Sequence, residues 1–349
     1  MENILIYGAY GYTGRLIIQE ALKYKLDITI GGRNKAKIEA LSEEYKLKAH
    51  CFNLDDQETL LKVLENVSLV IHCAGPFQFT ANTMIEACIT TKTHYMDITG
   101  EFQVFELAQE YNEKAKEAGI MLLPGAGFDV VPSDCLAANL KASVPDASHL
   151  ELAFTTKGGA RLSRGTAKTM VEGSSQGQVY RENGKLTEKP MGKSFKTVNF
   201  GDFEQVSVGI SWGDISSAYF STQIPNIEVY TGSTPEQIKM FRMMGRLKFL
   251  LKSKALKNWI KKRIDAKPAG PSDQSRDKSS TYLWGRADGQ SAFKELRLKT
   301  PNGYTLTALI AVLFSRKILE GKFKTGYQTP STAFGKDVIF EVEGCEWIS

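Results

Sequence analysis

The sequence predicts a protein of the α/β class, in which a doubly wound parallel sheet is joined to an inserted α+β domain with a largely antiparallel sheet. Short apolar segments alternate with helical patterns over roughly the first 130 residues, as they do when helices cover both faces of a parallel sheet. Beyond residue 148, β-branched and aromatic residues alternate with polar residues and glycines, which indicates antiparallel strands. With 349 residues, the chain is long enough for two such domains.

The elements of the first domain follow from its apolar segments. We expect this domain to cover residues 1–133 and to contain about six strands. Because right-handed crossovers join successive strands through helices, the strands should form a parallel, doubly wound sheet. The segments predicted as strands are 3–7, 27–32, 48–54, 68–75, 93–99 and 119–125. The segments predicted as helices are 13–24, 34–45, 56–64, 80–89 and 103–116.

The rest of the chain divides into two parts. Residues 134–300 are predicted to form the inserted α+β domain, which binds substrate or forms a dimer contact. Residues 301–349 are predicted to form a helix over 305–320 and a last strand over 337–344.

A glycine-rich turn follows the first predicted strand directly and opens the first predicted helix. Gly8, Gly11 and Gly14 are spaced three apart. The first glycine permits a sharp turn, the second lets backbone N–H groups approach a pyrophosphate, and the third lets helix and strand pack closely. This context predicts a Rossmann dinucleotide site with the phosphates at the helix N-terminus, where Ala9, Tyr12 and Thr13 complete the turn.

The end of the second predicted strand indicates which dinucleotide binds. An NAD site usually places Asp or Glu there to bind the ribose, whereas this chain has Arg33 followed by Asn34. A guanidinium suits a 2′-phosphate by charge and by geometry, so the sequence predicts NADP(H). The remaining residues predicted to contact the cofactor follow the third and fourth strands: Asn53, Cys73, Ala74, Gly75 and Pro76.

In these motifs the chain resembles the saccharopine dehydrogenase-like oxidoreductases, especially the branch that includes trans-acting enoyl reductases. The matching stretches run in order along nearly the whole chain and include "GAYGYTGRL", "GGRN", "CAGPF", "THYMDITGE", "PGAGFDVVPSD", "RGTAKTM", "TPNGYTLTA" and "GYQTPSTAFG". The resemblance implies a Rossmann domain that binds NADP(H), with Arg33 at the 2′-phosphate. It also implies that the second domain is inserted in the chain, so that the C-terminal helix and strand of residues 301–349 return to the Rossmann domain. Most members of the family have Ala or Thr where this chain has Tyr10, which either touches the cofactor or covers the turn.

The resemblance leaves the substrate open. "RGTAKTM" offers Arg164 and Thr166, which either bind substrate or belong to the start of a helix. Hydride transfer often needs a proton donor, and four residues lie where the nicotinamide is expected: Tyr95, Asp97, Glu101 and Asp129. Each of the four also has a structural interpretation.

Two other dehydrogenase chemistries are not supported. None of the thirteen tyrosines has a lysine four residues later, the pair that short-chain dehydrogenases use. The four histidines are isolated from one another, so no metal is predicted. We expect an NADP(H)-dependent oxidoreductase that transfers hydride to an organic acceptor, lipid-like enoyl or imine, in the cleft between domains. The alternatives are a non-catalytic NADP-binding sensor or scaffold and a peripheral membrane protein whose Rossmann domain has lost its activity.

Positive charge is concentrated in one segment. Residues 236–265 contain ten Lys or Arg and two acidic residues, and Met240, Met243, Met244, Leu247, Leu250 and Leu251 recur there at helical spacing. Residues 239–263 therefore either lie on an anionic membrane or pack on their own protein or a dimer mate. No nucleic-acid motif accompanies the charge. The five scattered cysteines lack a CxxC pair, which favours reduced thiols and a cytoplasmic protein, peripheral to the membrane if the basic helix binds lipid.

Overall fold

A computed structural model describes residues 3–159, 161–174, 176–246 and 253–349 of the chain. The described residues divide into two units. The first unit comprises the described residues up to Asp129 together with Tyr304–Phe334. The second comprises the described residues of Val130–Gly303 together with Gly335–Ser349. The chain therefore passes from one unit to the other three times.

The N-terminal part of the first unit alternates strands and helices. Its strands are β1 (Ile4–Tyr7), β2 (Ile28–Gly32), β3 (Lys48–Cys51), β4 (Leu69–His72), β5 (His94–Asp97) and β6 (Met121–Leu123). Its helices are α1 (Tyr12–Lys23), α2 (Lys35–Tyr45), α3 (Gln57–Leu64), α4 (Ala81–Thr91), α5 (Phe102–Glu110) and α6 (Asn112–Ala118). Strands β1 and β4 are buried along their whole length, which is typical of central strands covered on both faces.

The second unit begins with helix α7 (Val131–Ser143) and is built mainly from antiparallel strands. Its other described helices are α8 (Arg164–Gly173), α9 (Asp214–Thr222), α10 (Pro235–Arg246), α11 (Lys254–Asp265) and α12 (Asp273–Asp277). Its strands up to this point are β7 (His149–Lys157), β8 (Gln178–Glu182), β9 (Lys185–Lys189), β10 (Phe195–Asn199), β11 (Glu204–Ile210), β12 (Asn226–Gly232), β13 (Ser280–Asp288) and β14 (Phe293–Pro301).

The last segment contributes to both units. Helix α13 (Gly303–Leu319), strand β15 (Gly326–Tyr327) and helix α14 (Pro330–Phe334) precede the final strand β16 (Glu346–Ile348). Strand β15 pairs with β6 in the first sheet, whereas β16 pairs with β14 in the second.

The sheet topology confirms the predicted fold class. The described strands of the first sheet run in the order β15-β6-β5-β4-β1-β2-β3, and every pair is parallel. The path of the second sheet is β10-β11-β12-β7-β13-β14-β16, with β8 beside β12 and β9 beside β8. Its pairs are antiparallel except β7 with β12. All strands of the first sheet end at one edge, which is where ligands gather in open α/β folds.

The predicted strand over 337–344 is wrong. Val338–Glu341 forms a short 3-10 helix in the second unit, and the final strand begins only at Glu346. Val338 and Ile339 are adjacent and both buried, which a helical turn permits and a half-exposed strand does not. The helix of this C-terminal segment belongs to the first unit, whereas residues 335–349 belong to the second.

Candidate functional site

The glycine turn between β1 and α1 has a backbone that side chains would not allow. Gly8 has a φ of +84°, and a Cβ atom there would lie 2.8 Å from the carbonyl carbon of Cys73. The turn is closed by the Gly11 amide, which donates to the Gly8 carbonyl at 2.9 Å. A Cβ atom on Gly14 would lie 2.8 Å from the carbonyl oxygens of both Gly8 and Ala9. The three glycines therefore bring α1 against the end of β1.

The N-terminus of α1 suits an anionic ligand. Gly11 is its N-cap and supplies no side-chain cap, and the first turn contains no acidic residue. Tyr12 and Thr13 lie in that first turn. The backbone N–H groups and the positive end of the helix dipole thus lie where the sequence predicts a pyrophosphate. The residues present fit the phosphates of a dinucleotide.

Arg33 directly follows β2 and is exposed. Its guanidinium has no hydrogen-bond or ion-pair partner among the described residues, so the charge remains available to a ligand. Neighbouring Asn34 instead caps α2, where its side chain accepts a hydrogen bond from the Lys37 amide at 3.1 Å. Asn53 donates to Asp55 at 3.0 Å. Of these three residues predicted to contact the cofactor, Arg33 alone keeps its whole side chain uncommitted in the described structure.

The Tyr10 ring covers the end of β2. A Cβ atom on Gly32 would lie 2.7 Å from Tyr10 Cε1, so the ring occupies the space above that glycine. Lys37 Nζ lies 5.5 Å from the centroid of the same ring. Tyr10 therefore packs on the end of the strand and contacts a cation at the start of α2, and the sequence analysis assigned no role to Gly32 or Lys37.

The loop after β4 is anchored by Glu101. Cys73, Ala74, Gly75 and Pro76 lead into a short 3-10 helix, Phe77–Phe79. The two carboxylate oxygens of Glu101 accept hydrogen bonds from the Phe77 and Gln78 amides, each at 2.8 Å. Because both oxygens bind backbone N–H groups, the geometry favours an anchoring role for Glu101 over proton donation. The Cys73 thiol stays protonated because burial raises its pKa.

Asp97 ends β5 and is fully buried. Its Oδ1 accepts hydrogen bonds from the Thr99 amide at 2.9 Å and the Gly125 amide at 2.8 Å, and its Oδ2 accepts one from the Tyr95 hydroxyl at 2.5 Å. Burial raises the pKa of Asp97 to about 6, although these hydrogen bonds act in the opposite direction. Burial, with the negative charge of Asp97, raises the pKa of Tyr95 well above its usual range. The Tyr95–Asp97 pair thus holds the ends of β5 and β6 together.

Asp129 is the candidate that retains the properties of a proton donor. Its carboxyl packs against Gly100, where a Cβ atom would lie 3.0 Å from Oδ2, and part of the residue is accessible to solvent. Burial, together with the negative charges of Glu101 and Asp97, raises the pKa of Asp129 to about 7. A carboxyl group with such a pKa is partly protonated at neutral pH and can give up a proton there.

Asp129 is positioned by a loop that is held from two sides. The Gly125 amide binds the Asp97 side chain, and the Ala126 amide donates to the Asp97 carbonyl at 2.7 Å. From the other side, Thr307 Oγ1 in α13 accepts a hydrogen bond from the Phe128 amide at 3.0 Å. Thr307 lies in a stretch that resembles the family, but no local pattern indicates its role, since its partner lies 179 residues away in sequence.

The start of α13 also reaches the glycine turn. The rings of Tyr304 and Tyr12 meet edge to face with their centroids 5.1 Å apart. This contact places the N-terminal end of α13 beside that of α1, within the first unit. Tyr304 is therefore a second residue near the candidate site that no local sequence pattern indicated.

The residues predicted to bind substrate lie in the second unit at the start of α8. Ser163 caps this helix by accepting a hydrogen bond from the Thr166 amide at 3.2 Å, and its hydroxyl lies 3.1 Å from that of Thr166. Arg164 Nε donates to the Lys267 carbonyl at 2.6 Å. Thr166 thus takes part in the helix start, the structural alternative of the sequence analysis, whereas the Arg164 side chain ties this helix to Lys267 just after α11, and the role of both toward substrate stays a prediction.

No group of three or more His, Cys, Asp or Glu among the described residues is arranged to hold a metal ion. Burial lowers the pKa of His72 to about 3 and that of His94 to about 4, so both rings are neutral at physiological pH. The His94 ring accepts a hydrogen bond from the Met121 amide at 3.0 Å, which links β5 to β6. The five cysteines are free.

Residues 4–123 match the family model of the saccharopine dehydrogenase NADP binding domain. The N-terminal domain belongs to this family. The match confirms the predicted resemblance and identifies NADP(H) as the cofactor of the domain. The saccharopine dehydrogenase-type domain contains every residue that the sequence assigned to the cofactor, from Gly8 to Pro76.

Relatives of this NADP-binding domain carry oxidoreductase names. A human saccharopine dehydrogenase-like oxidoreductase is 27% identical over 152 residues, which cover 38% of this chain and 35% of that protein. A Mycobacterium tuberculosis relative, whose name describes a trans-acting enoyl reductase, is 27% identical over 184 residues, which cover 49% of this chain and 43% of that protein. The alignments thus span less than half the length of either relative.

The fold beyond the NADP-binding domain also has a solved counterpart. The apo structure of saccharopine dehydrogenase (L-Glu forming) from Saccharomyces cerevisiae matches all of both chains with a TM-score of 0.65 at 15% identity. At this identity the similarity concerns the fold alone, and the second unit shares it.

Proposed function

We propose that this protein is an NADP(H)-dependent reductase that transfers hydride to a C=C, C=N or C=O bond of an organic substrate. The observation that carries the proposal is the position of Asp129 beside Asp97 and Glu101. These residues lie near the ends of β5 and β6, at the same edge of the sheet as the glycine turn after β1. The enoyl reductase named among the relatives favours an enoyl substrate, and an imine is the next candidate.

The position of each residue along this edge suits it to cofactor binding, to anchoring a loop or to proton transfer. The N-terminus of α1 and Arg33 would hold the pyrophosphate and the 2′-phosphate, and Glu101 would fix the loop over 73–79 where the cofactor crosses β4. When bound, NADPH supplies the hydride, and the substrate also needs one proton. Asp129 would give that proton to the substrate and take another from solvent, for which its raised pKa suits it.

NADPH oxidation against panels of enoyl, imine and carbonyl compounds tests the proposal. We expect one class to support turnover, and we expect Asp129→Asn to lower kcat by about 10²-fold or more, within the usual range for a lost general acid. The variant should bind NADPH as tightly as the wild type. Asp27→Asn, which changes an exposed aspartate in the same unit, is the matched control and should keep full activity.

Two results would contradict this function. NADPH binding without turnover in any of the three panels would favour a non-catalytic sensor or scaffold. Unchanged kcat in Asp129→Asn would remove the residue from proton transfer, even if the protein reduces a substrate.

A further inference from the structure

Part of the predicted apolar stripe of α10 is exposed and does not pack in the protein core. Phe241 is buried, and the backbone near Gly245 packs closely on Met191, where a Cβ atom would lie 2.5 Å from the Met191 carbonyl oxygen. On the other side of the helix, Met240 and Met243 are 42% and 55% exposed. Lys239, also exposed, adjoins them, and we call these three residues the α10 patch. The other predicted stripe residues are not described, since the side chain of Met244 and all of Leu247, Leu250 and Leu251 lie outside the described structure.

Helix α11 has one face that packs on the protein and one that does not. Its inner face is fixed to α8, where Lys257 Nζ lies 3.1 Å from Glu172 Oε2 and Lys261 binds the other carboxylate oxygen. Lys168 of α8 in turn pairs with Asp265 at 2.6 Å. These ion pairs hold this face of the basic segment on the chain's own protein.

The outer face of α11 carries a tryptophan among cations. Trp259 is 53% exposed, and Arg263 stacks over its ring with the guanidinium carbon 4.3 Å from the centroid. Lys262 is exposed on the same face, and neither of these two cations has an ion-pair partner among the described residues. We call Trp259, Lys262 and Arg263 the α11 patch.

We propose that the α10 and α11 patches bind the surface of an anionic lipid membrane. Trp259, Met240 and Met243 would enter the boundary between headgroups and acyl chains, while the lysines and Arg263 pair with anionic headgroups. Seven residues of chain lead from Arg246 to Ser253, so these two residues lie within about 25 Å of each other, and each patch is tested by its own substitutions.

Charge favours this partner over a second copy of the chain. A two-fold axis through the α11 patch would place that patch against its own copy, so the unpaired cations would face cations. Exposed Met and Trp side chains add an apolar component, which a lipid surface can bury and a nucleic-acid backbone cannot.

Vesicle flotation of the full chain tests the proposal. We expect flotation with vesicles of phosphatidylcholine mixed with phosphatidylglycerol, much less with phosphatidylcholine alone, and a decline as salt rises. Lys262→Glu combined with Arg263→Glu should lower the bound fraction at least tenfold. Trp259→Ala and the pair Met240→Ser and Met243→Ser should each lower it severalfold.

The matched control is Lys48→Glu combined with Lys62→Glu, which makes the same change in net charge at exposed sites of the first unit. This control should float like the wild type, and NADP binding should be unchanged in all variants. Failure of the wild type to float with anionic vesicles would overturn the proposal. An equal loss of the bound fraction in the control would also overturn it. The same holds if the substitutions of Trp259 and of both methionines leave flotation unchanged. Loss of dimers in the reversal variant with unchanged flotation would assign the patches to a second copy instead.

Discussion

At the scale of single residues, the candidate site separates four acidic or phenolic groups that the sequence could not rank. Asp97 binds three donors, Tyr95 donates to Asp97, and Glu101 binds two backbone amides. Their partners are loops and strand ends that local sequence patterns do not place. Asp129 stands out because its carboxyl lies among the charges of the others. Sequence alone could therefore name the group of candidates but not the division of roles within it.

Arg33→Ala should weaken NADPH binding by about 10- to 100-fold, because a charge-assisted contact to the 2′-phosphate contributes roughly 1.5–3 kcal/mol. NADH lacks that phosphate, so its dissociation constant should change less than about twofold. Titration of intrinsic NADPH and NADH fluorescence measures both. Lys35→Ala is the matched control, since Lys35 is exposed two residues later and pairs with Glu39 at 3.8 Å. Equal losses for the two cofactors would refute the assignment of Arg33.

Asp129→Asn should make the protein more stable at pH 8 while making it less active. The folded pKa of about 7 lies above the ordinary value near 3.9, so the folded state binds more protons between these values. The contribution of Asp129 to the free energy of unfolding is therefore present below about pH 4 and is lost as pH rises to 7. Because part of the residue is exposed, we expect a gain on the order of 1–2 kcal/mol at pH 8 and almost none at pH 4.

Urea unfolding of Asp129→Asn and wild type at pH 4, 6 and 8 measures this difference. Asp27→Asn should track the wild type at every pH. A variant that is less stable than the wild type at pH 8 would show that Asp129 is ionised and bound in the folded protein, and that its pKa is not raised.

At the scale of elements, the sequence predicted the strands and helices that have a pattern in their own local sequence. The apolar segment of β1, the glycines before α1 and the helical spacing of α1 are local signals, and the structure contains all three. Strand β15 has two residues and no such signal. Its place in the sheet depends on a buried Tyr327, whose amide donates to Asn112 Oδ1 at 2.9 Å across 215 residues. Contacts of this length cannot be inferred from periodicity.

The loop after β4 tests whether Glu101 acts as an anchor. Glu101→Gln replaces one carboxylate oxygen with an NH₂ group, so the Phe77 or the Gln78 amide loses its acceptor. We expect the free energy of unfolding to fall by about 1–3 kcal/mol. The dissociation constant of NADPH should rise, because the loop over 73–79 forms one side of the predicted cofactor site. Thermal unfolding and NADPH titration measure the two effects.

Glu110→Gln, at the exposed end of the same helix α5, is the control and should change neither quantity. If Glu101 were instead a proton donor, the variant would lose kcat while keeping wild-type stability and NADPH affinity. That pattern would contradict the anchoring role.

At the scale of the whole molecule, the two units have different spectroscopic reporters. All four tryptophans (Trp212, Trp259, Trp284 and Trp347) belong to the second unit, whereas the predicted NADP contacts belong to the first. If the first unit unfolds alone, Tyr304–Phe334 becomes a loop that closes within the second unit. The entropic cost of closing a loop rises slowly, by about 0.6 kcal/mol for each doubling of its length. This connection alone therefore destabilises the second unit little when the first unit unfolds.

We therefore expect NADP⁺ to stabilise the two units unequally. At a concentration of about 100 times its dissociation constant, it should add about 2.7 kcal/mol to the free energy of unfolding of the first unit. In urea titrations, hydrogen exchange of the β1 and β4 amides should show that shift, while the midpoint from tryptophan fluorescence stays in place. The oxidised cofactor is used because NADPH absorbs tryptophan emission. Arg33→Ala is the control, in which 10- to 100-fold weaker binding should reduce the shift of the first unit to about 0.4–1.4 kcal/mol at the same NADP⁺ concentration. A tryptophan midpoint that moves together with the exchange of β1 and β4 would show instead that the two units unfold as one.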